Sequence, residues 1–127
     1  MQQFIGNHIL IVEDSPDLQI LLRELLESSG YAIECTSNGK EALSLLASSK
    51  ELPQMILLDL RMPVLDGIGF CLKQNSDPRL CNIPVILMSG VQDIESVRTK
   101  IKLTDFLAKP YDISDVLNMV KRHSNLH

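Results

Sequence analysis

The chain has no excess of positive charge, no paired-cysteine motif and no long apolar run. Twelve lysines and arginines against sixteen aspartates and glutamates leave a net charge of −4. That balance excludes the broad basic face of a general nucleic-acid binder. The three cysteines, Cys35, Cys71 and Cys81, are odd in number, far apart and without a CxxC. They are not a disulfide framework and read as reduced thiols of a cytoplasmic protein. His8, His123 and His127 are scattered and read as solvated, so neither a zinc site nor a catalytic triad is supported. No apolar run approaches the roughly 18 residues of a membrane span. The opening "MQQFIGNHIL" lacks the basic flank and cleavage site of a signal peptide, and the expected location is the cytoplasm. No GxxxxGK[ST] occurs, and the pair Gly67 and Gly69 has no third glycine, so a phosphate-binding loop is excluded. Repeats and low-complexity linkers are absent.

What is present is an alternation of short apolar runs and amphipathic stretches in 127 residues, of which 45% are hydrophobic. This length suits one domain spanning 1–127, with its core over about 8–123. Strands are expected at His8 to Val12, Tyr31 to Cys35, Met55 to Leu58, Ile83 to Met88 and Thr104 to Ala108. The first helix should start at the cap Ser15, with Pro16 in its first position and Asp17 at its positive end. Leu18, Leu21, Leu22 and Leu25 form its apolar stripe, and Gly30 stops it. Asn38 and Glu41 are spaced as a capping box for the second helix, whose inner face is Ala42, Leu45 and Leu46. A short third helix opens near Asp66. The fourth places Val91, Ile94, Val97 and Ile101 on one side, and the fifth turns Ile113, Val116, Leu117 and Val120 inward.

Strands alternating with helices imply an α/β fold, a parallel sheet covered on both faces with right-handed crossovers. The first, third and fourth strands are uniformly apolar and belong in the centre; the second alternates and belongs at an edge. The expected architecture is the flavodoxin-like, doubly wound (βα)5 fold with strand order 2-1-3-4-5. Its ligand crevice lies at the carboxyl ends of the strands.

Polar residues stand at those carboxyl ends. Glu13 and Asp14 follow the first strand, Asp59 the third, Ser89 the fourth, and Lys109 and Pro110 the fifth. Clustered carboxylates repel one another and require a cation. Oxygen donors without His or Cys suit a hard ion, and Mg²⁺ takes a few carboxylates while keeping waters and phosphate oxygens. Lys109 is a compact positive charge, and Ser89 can donate one hydrogen bond. Together they describe a cradle for a phosphoryl group, with Asp59 as the nucleophile that becomes an aspartyl phosphate. Taken singly, an Asp after a strand is usually a cap or turn residue, and Asp66 is read that way. The signal lies in the conjunction.

The pieces "LIVEDS", "ILLDLRMPVLDG", "PVILMSG" and "DFLAKP" together resemble the receiver domain of two-component response regulators, over nearly the whole chain. The resemblance implies Asp59 as phosphoacceptor, with Glu13, Asp14, Asp59 and the backbone carbonyl of Arg61 holding Mg²⁺. It implies Ser89 as switch hydroxyl, Lys109 as site lysine, Phe106 as switch aromatic, and a loop shaped by Pro63 and Gly67. The Lys109–Pro110 bond is often cis in this family. Glu13 stands where Asp is commoner, Ser89 where Thr is, and Phe106 where a Tyr would carry a hydroxyl. The segment from Ser89 to Lys109 is slightly short, and "KLT" replaces a Gly-Ala turn, which points to a short or displaced fourth helix.

The resemblance further implies a histidine kinase or phosphotransfer protein as phosphodonor. The output is a changed surface of the fourth helix, fifth strand and fifth helix, read by an output protein or domain, possible as a homodimer. Such a protein is no conventional enzyme, although it catalyses its own phosphorylation and dephosphorylation. Successive helical residues rotate by about 100°, so Ile20 should lie nearly opposite the stripe of Leu18, Leu21, Leu22 and Leu25, exposed beside the acidic rim, as a contact for the phosphodonor. Arg61 and Val91 each follow a site residue by two positions and are expected to shield the acyl phosphate from water. The alternative is a phosphorylation-independent binding module of the same fold, against which the complete acidic pair, Ser89 and Lys109 argue. An aspartyl phosphatase of the haloacid dehalogenase kind would carry Asp where this chain has Arg61.

Overall fold

The computed structural model describes residues 4–60 and 66–124. In chain order the elements are β1 (Phe4–Ile5), β2 (Ile9–Val12), α1 (Pro16–Ser28), β3 (Ile33–Thr36), α2 (Gly39–Ser48), β4 (Glu51–Leu52), β5 (Met55–Asp59), α3 (Gly67–Ser76), β6 (Val85–Gly90), α4 (Val91–Val97), β7 (Asp105–Lys109) and α5 (Ile113–His123). The main sheet has five strands in the order β3-β2-β5-β6-β7, every neighbouring pair parallel. Counted among themselves these strands run 2-1-3-4-5, the flavodoxin-like order expected from the alternation.

Strand periodicity divides the core into two layers. Leu10, Val12, Ile56, Leu58, Val85 and Leu87 face Ala42 and Leu46 of α2, Phe70 of α3, and Ile94 and Val97 of α4. The intervening Ile9, Ile11, Met55, Leu57, Ile86 and Met88 face Leu22 and Leu26 of α1 and Val116 and Val120 of α5. Strands β2, β5 and β6 bury both faces, which is why they read as continuous apolar runs. Each fully buried Leu, Ile or Val contributes about 1.5–3 kcal/mol.

The caps follow the sequence. Ser15 accepts from the Leu18 amide, with Pro16 in the first turn. Asn38 accepts from the Glu41 amide, and the Glu41 carboxylate returns to the Ser37 backbone amide and the Asn38 side-chain amide rather than to the Asn38 backbone amide. Asp66 caps α3 through the Gly69 amide. Gly30 ends α1 at φ 98°, in the left-handed region that favours glycine.

Four expectations need correction. Leu21 is 49% exposed, and Leu26 takes its place in the stripe because it stands four residues after Leu22. Helix α4 ends at Val97, and Ile101 is buried from the turn that follows rather than from the helix. An unforeseen two-stranded parallel ribbon joins β1 to β4; two-residue strands carry too little periodicity to be read. The histidines are not merely solvated: His8 lies 2.8 Å from Glu34 and His123 lies 2.8 Å from Asp105, while His127 is outside the described residues. Cys71 is buried, Cys35 and Cys81 are half-buried, and all three are free thiols. Among the described residues no helix is long and apolar enough to cross a membrane.

Candidate functional site

Strand register brings the site together. Val12 stands opposite Leu58, and Asp59 opposite Met88. Glu13, the residue after Val12, is therefore level with Asp59. Glu13 continues the alternation of Ile9 and Ile11, Asp59 that of Met55 and Leu57, and Lys109 that of Leu107. All three share the parity of the α1–α5 layer. Carboxylate oxygens of Glu13, Asp14 and Asp59 lie within 4.8 Å of one another. The ammonium of Lys109 lies 3.7 Å from Asp59 Oδ1. Asp59 is buried and Lys109 half-exposed at the rim, so the cation reaches the carboxylate from the solvent side.

Glu13 is held by its neighbours. Its amide donates to the Thr36 carbonyl, and its carbonyl accepts from the Gln19 side-chain amide, which also reaches the Thr36 carbonyl at 3.3 Å. The Ser15 amide donates to Glu13 Oε1 at 3.3 Å, whereas Glu13 Oε2 is buried with no hydrogen-bond partner among the described residues. Burial, then the charge of Asp59 and a hydrogen bond with it, push the Glu13 carboxyl up from 4.5 to about 7, against the Ser15 amide, which lowers it. Tyr111 is also pushed up, by burial first and then by the charges of Glu13 and Asp59.

This donor set fits a hard divalent cation. It offers only oxygen, it packs three carboxylates closely, and it contains a buried oxygen with no hydrogen-bond partner among the described residues. Arg61, whose backbone carbonyl was expected to join it, lies outside the described residues, as do Pro63 and the side chain of Val91. Gly67 leaves no room for a side chain: a Cβ there would sit 2.8 Å from Leu60 Cα, and its amide donates to the Leu60 carbonyl at 2.8 Å.

Ser89 departs from the rest. It shares the parity of Val85 and Leu87, on the opposite layer, and it is buried. Its hydroxyl donates to Asp93 Oδ2 in the first turn of α4, at 3.4 Å. Phe106 points outward at 36% exposure, with the Arg98 guanidinium 5.3 Å from its ring centre. Arg98 and Phe106 border a pocket of about 220 Å³ with Leu103, Thr104 and Asp105. The sequence reading missed Gln19, Asp93 and Tyr111. Gln19 and Asp93 read as ordinary polar helix residues, and only the fold shows what they touch.

The chain matches the family described as Response regulator receiver domain over residues 9–121. It is 34% identical over 122 residues to sporulation initiation phosphotransferase F of Bacillus subtilis, covering 94% of each chain. Among solved structures it is similar to the signal receiver domain of a signal transduction histidine kinase from Syntrophus aciditrophicus, with TM-score 0.84, 36% identity, and 93% and 89% of the two chains covered. It is also similar to the receiver domain of sensor histidine kinase PA1611 from Pseudomonas aeruginosa, which has a magnesium ion coordinated in its active-site cleft. There the TM-score is 0.80 and the identity 27%, with 92% and 96% covered.

Proposed function

The chain belongs to the response regulator receiver domain family of two-component systems, and on that premise we propose that Asp59 accepts a phosphoryl group from a histidine kinase or histidine phosphotransfer protein. The observation that carries the reading is the convergence of Asp59 with Glu13 and Asp14 within 4.8 Å, and with Lys109 at 3.7 Å, at the carboxyl ends of β2, β5 and β7.

An Asp59 carboxylate oxygen attacks phosphorus, and the donor's P–N bond breaks as the P–O bond of an acyl phosphate forms. Glu13, Asp14 and Asp59 would hold Mg²⁺, as a magnesium ion is held in the cleft of the PA1611 receiver domain. When bound, the ion neutralises the carboxylates and the negative charge of the incoming phosphoryl oxygens. Lys109 then balances the charge added at Asp59, and the Ser89 hydroxyl supplies one hydrogen bond. Leaving its present position, Ser89 frees space into which Phe106 turns, and the surface of α4, β7 and α5 changes for an output partner. This is a shift between two populations; a swing from 1:99 to 99:1 requires about 5.5 kcal/mol of differential interaction. Ile20, 56% exposed on α1, is the proposed contact for the phosphodonor.

The test is incubation with acetyl phosphate and Mg²⁺, read by intact mass, on the parent and on Asp59→Asn. The expected result is a Mg²⁺-dependent gain of one phosphoryl group that is absent in the variant. An equal gain in Asp59→Asn would move the acceptor elsewhere. No gain from acetyl phosphate, together with no Mg²⁺ binding, would favour the constitutive binding module.

A further inference from the structure

A serine hydroxyl has one proton and donates one hydrogen bond at a time. In this structure Ser89 donates it to Asp93 Oδ2 at 3.4 Å, its only side-chain hydrogen bond among the described residues. Ser89 is 2% exposed, so water is a poor substitute acceptor. Asp93 stands in the first turn of α4, where the positive helix end favours a carboxylate. The preceding Gly90 has an ideal Cβ position 3.5 Å from Asp93 Oδ2, so that carboxylate lies over the junction between β6 and α4. A phosphoryl oxygen on Asp59 and the Asp93 carboxylate are therefore mutually exclusive acceptors for the same proton. At 3.4 Å the bond is long for a hydroxyl on a carboxylate, where about 2.5–2.7 Å is usual, so it can be displaced.

We infer that Asp93 is a positioning residue acting through Ser89: it holds the hydroxyl in the unphosphorylated protein and opposes occupation of the acceptor site until that bond is released. Release of Asp93 is then the first event by which a change at Asp59 reaches α4. The inference deepens the proposed acceptor role of Asp59 and rests on it.

The experiment measures the affinity for beryllofluoride in the presence of Mg²⁺, by ¹⁹F NMR and calorimetry, for the parent, Asp93→Ala, Ser89→Ala and the double variant. Beryllofluoride stands in for a phosphoryl group bonded to a carboxylate oxygen. Asp93→Ala should tighten binding by about three- to tenfold, in keeping with loss of one long charge-assisted hydrogen bond. In the Ser89→Ala background the same substitution should change affinity by less than about twofold, because additivity fails where residues act through each other. Asp93→Asn keeps the shape of the side chain and the fold of α4, and should tighten binding by a smaller factor. Equal tightening with and without the Ser89 hydroxyl would mean that Asp93 acts through charge alone, and would overturn the inference. Unchanged or weaker binding by Asp93→Ala and Asp93→Asn, with the parent still binding, would overturn it while leaving the acceptor reading intact. A parent no better than Asp59→Asn would overturn both.

Discussion

Neutralising Glu13 should stabilise the metal-free protein. Glu13 is 3% exposed, one of its oxygens is buried with no hydrogen-bond partner among the described residues, and its carboxyl is pushed from 4.5 to about 7. Between those two values the folded protein holds a proton that the unfolded chain has released. Stability therefore falls as pH rises through that window, and the full penalty applies above about pH 7. At about 1.36 kcal/mol per pH unit, the displacement from 4.5 to about 7 amounts to about 3 kcal/mol. Glu13→Gln keeps the oxygen that accepts from the Ser15 amide and removes the charge. At pH 8 without Mg²⁺ it should raise stability by up to about 3 kcal/mol, or roughly 10 °C in Tm for a domain of this size. At pH 4 the parent is itself protonated and the two proteins should melt within about a degree of each other. Adding Mg²⁺ at pH 8 should stabilise the parent by about 2.7 kcal/mol at a hundred times its Kd, and the variant by much less. The assay is thermal unfolding followed by circular dichroism from pH 4 to 8, with and without Mg²⁺. A variant no more stable than the parent at pH 8, or a difference that does not narrow toward pH 4, would refute the reasoning.

Gly67→Ala should cost about 1–3 kcal/mol, read as a lower urea midpoint, because the new Cβ meets the backbone of Leu60 at 2.8 Å; an unchanged midpoint would show that the loop yields. Burial raises the Asp105 carboxyl, but hydrogen bonds from His123 and the Phe106 amide, with the charges of His123 and Arg122, outweigh it and leave it below its ordinary value. Asp105 thus contributes stability above its unfolded-state pKa that is lost as pH falls through its folded one. His123→Ala should raise the Asp105 titration midpoint in carboxyl-detected NMR, and an unmoved midpoint would assign the shift elsewhere. Ile20→Glu should leave stability within about 0.5 kcal/mol. It should slow transfer from the cognate phosphodonor by about tenfold, or about 1.4 kcal/mol, while acetyl phosphate labelling is unchanged; equal transfer rates would remove Ile20 from the docking surface.

Much of this protein was legible before any coordinates. The runs "ILIV", "MILL" and "IPVILM" are apolar at every position because β2, β5 and β6 bury both faces, whereas the alternating "YAIEC" belongs to the edge strand β3. Ser15, Asn38 and Asp66 announced three helix starts, since capping is a bond between a side chain and an amide three residues away. The acidic site was legible for a related reason. In a parallel sheet every strand ends on the same rim, so the residues after each apolar run meet once the strand order is known.

What the sequence determined by itself is thus whatever depends on neighbours a few residues apart, or on the shared direction of the strands: the fold class, the helix starts and the carboxylates of the rim. Only the tertiary structure decided that Leu21 faces out while Leu26 faces in, and that His8 and His123 pair with Glu34 and Asp105. It alone aimed the Ser89 hydroxyl at Asp93, and left Glu13 Oε2 buried with no hydrogen-bond partner among the described residues. Those outcomes turn on which element packs against which face, and on angstrom-scale distances between side chains far apart in the chain. A hydrogen bond or a displaced pKa depends on that separation and on the exclusion of water around it, and local pattern encodes neither.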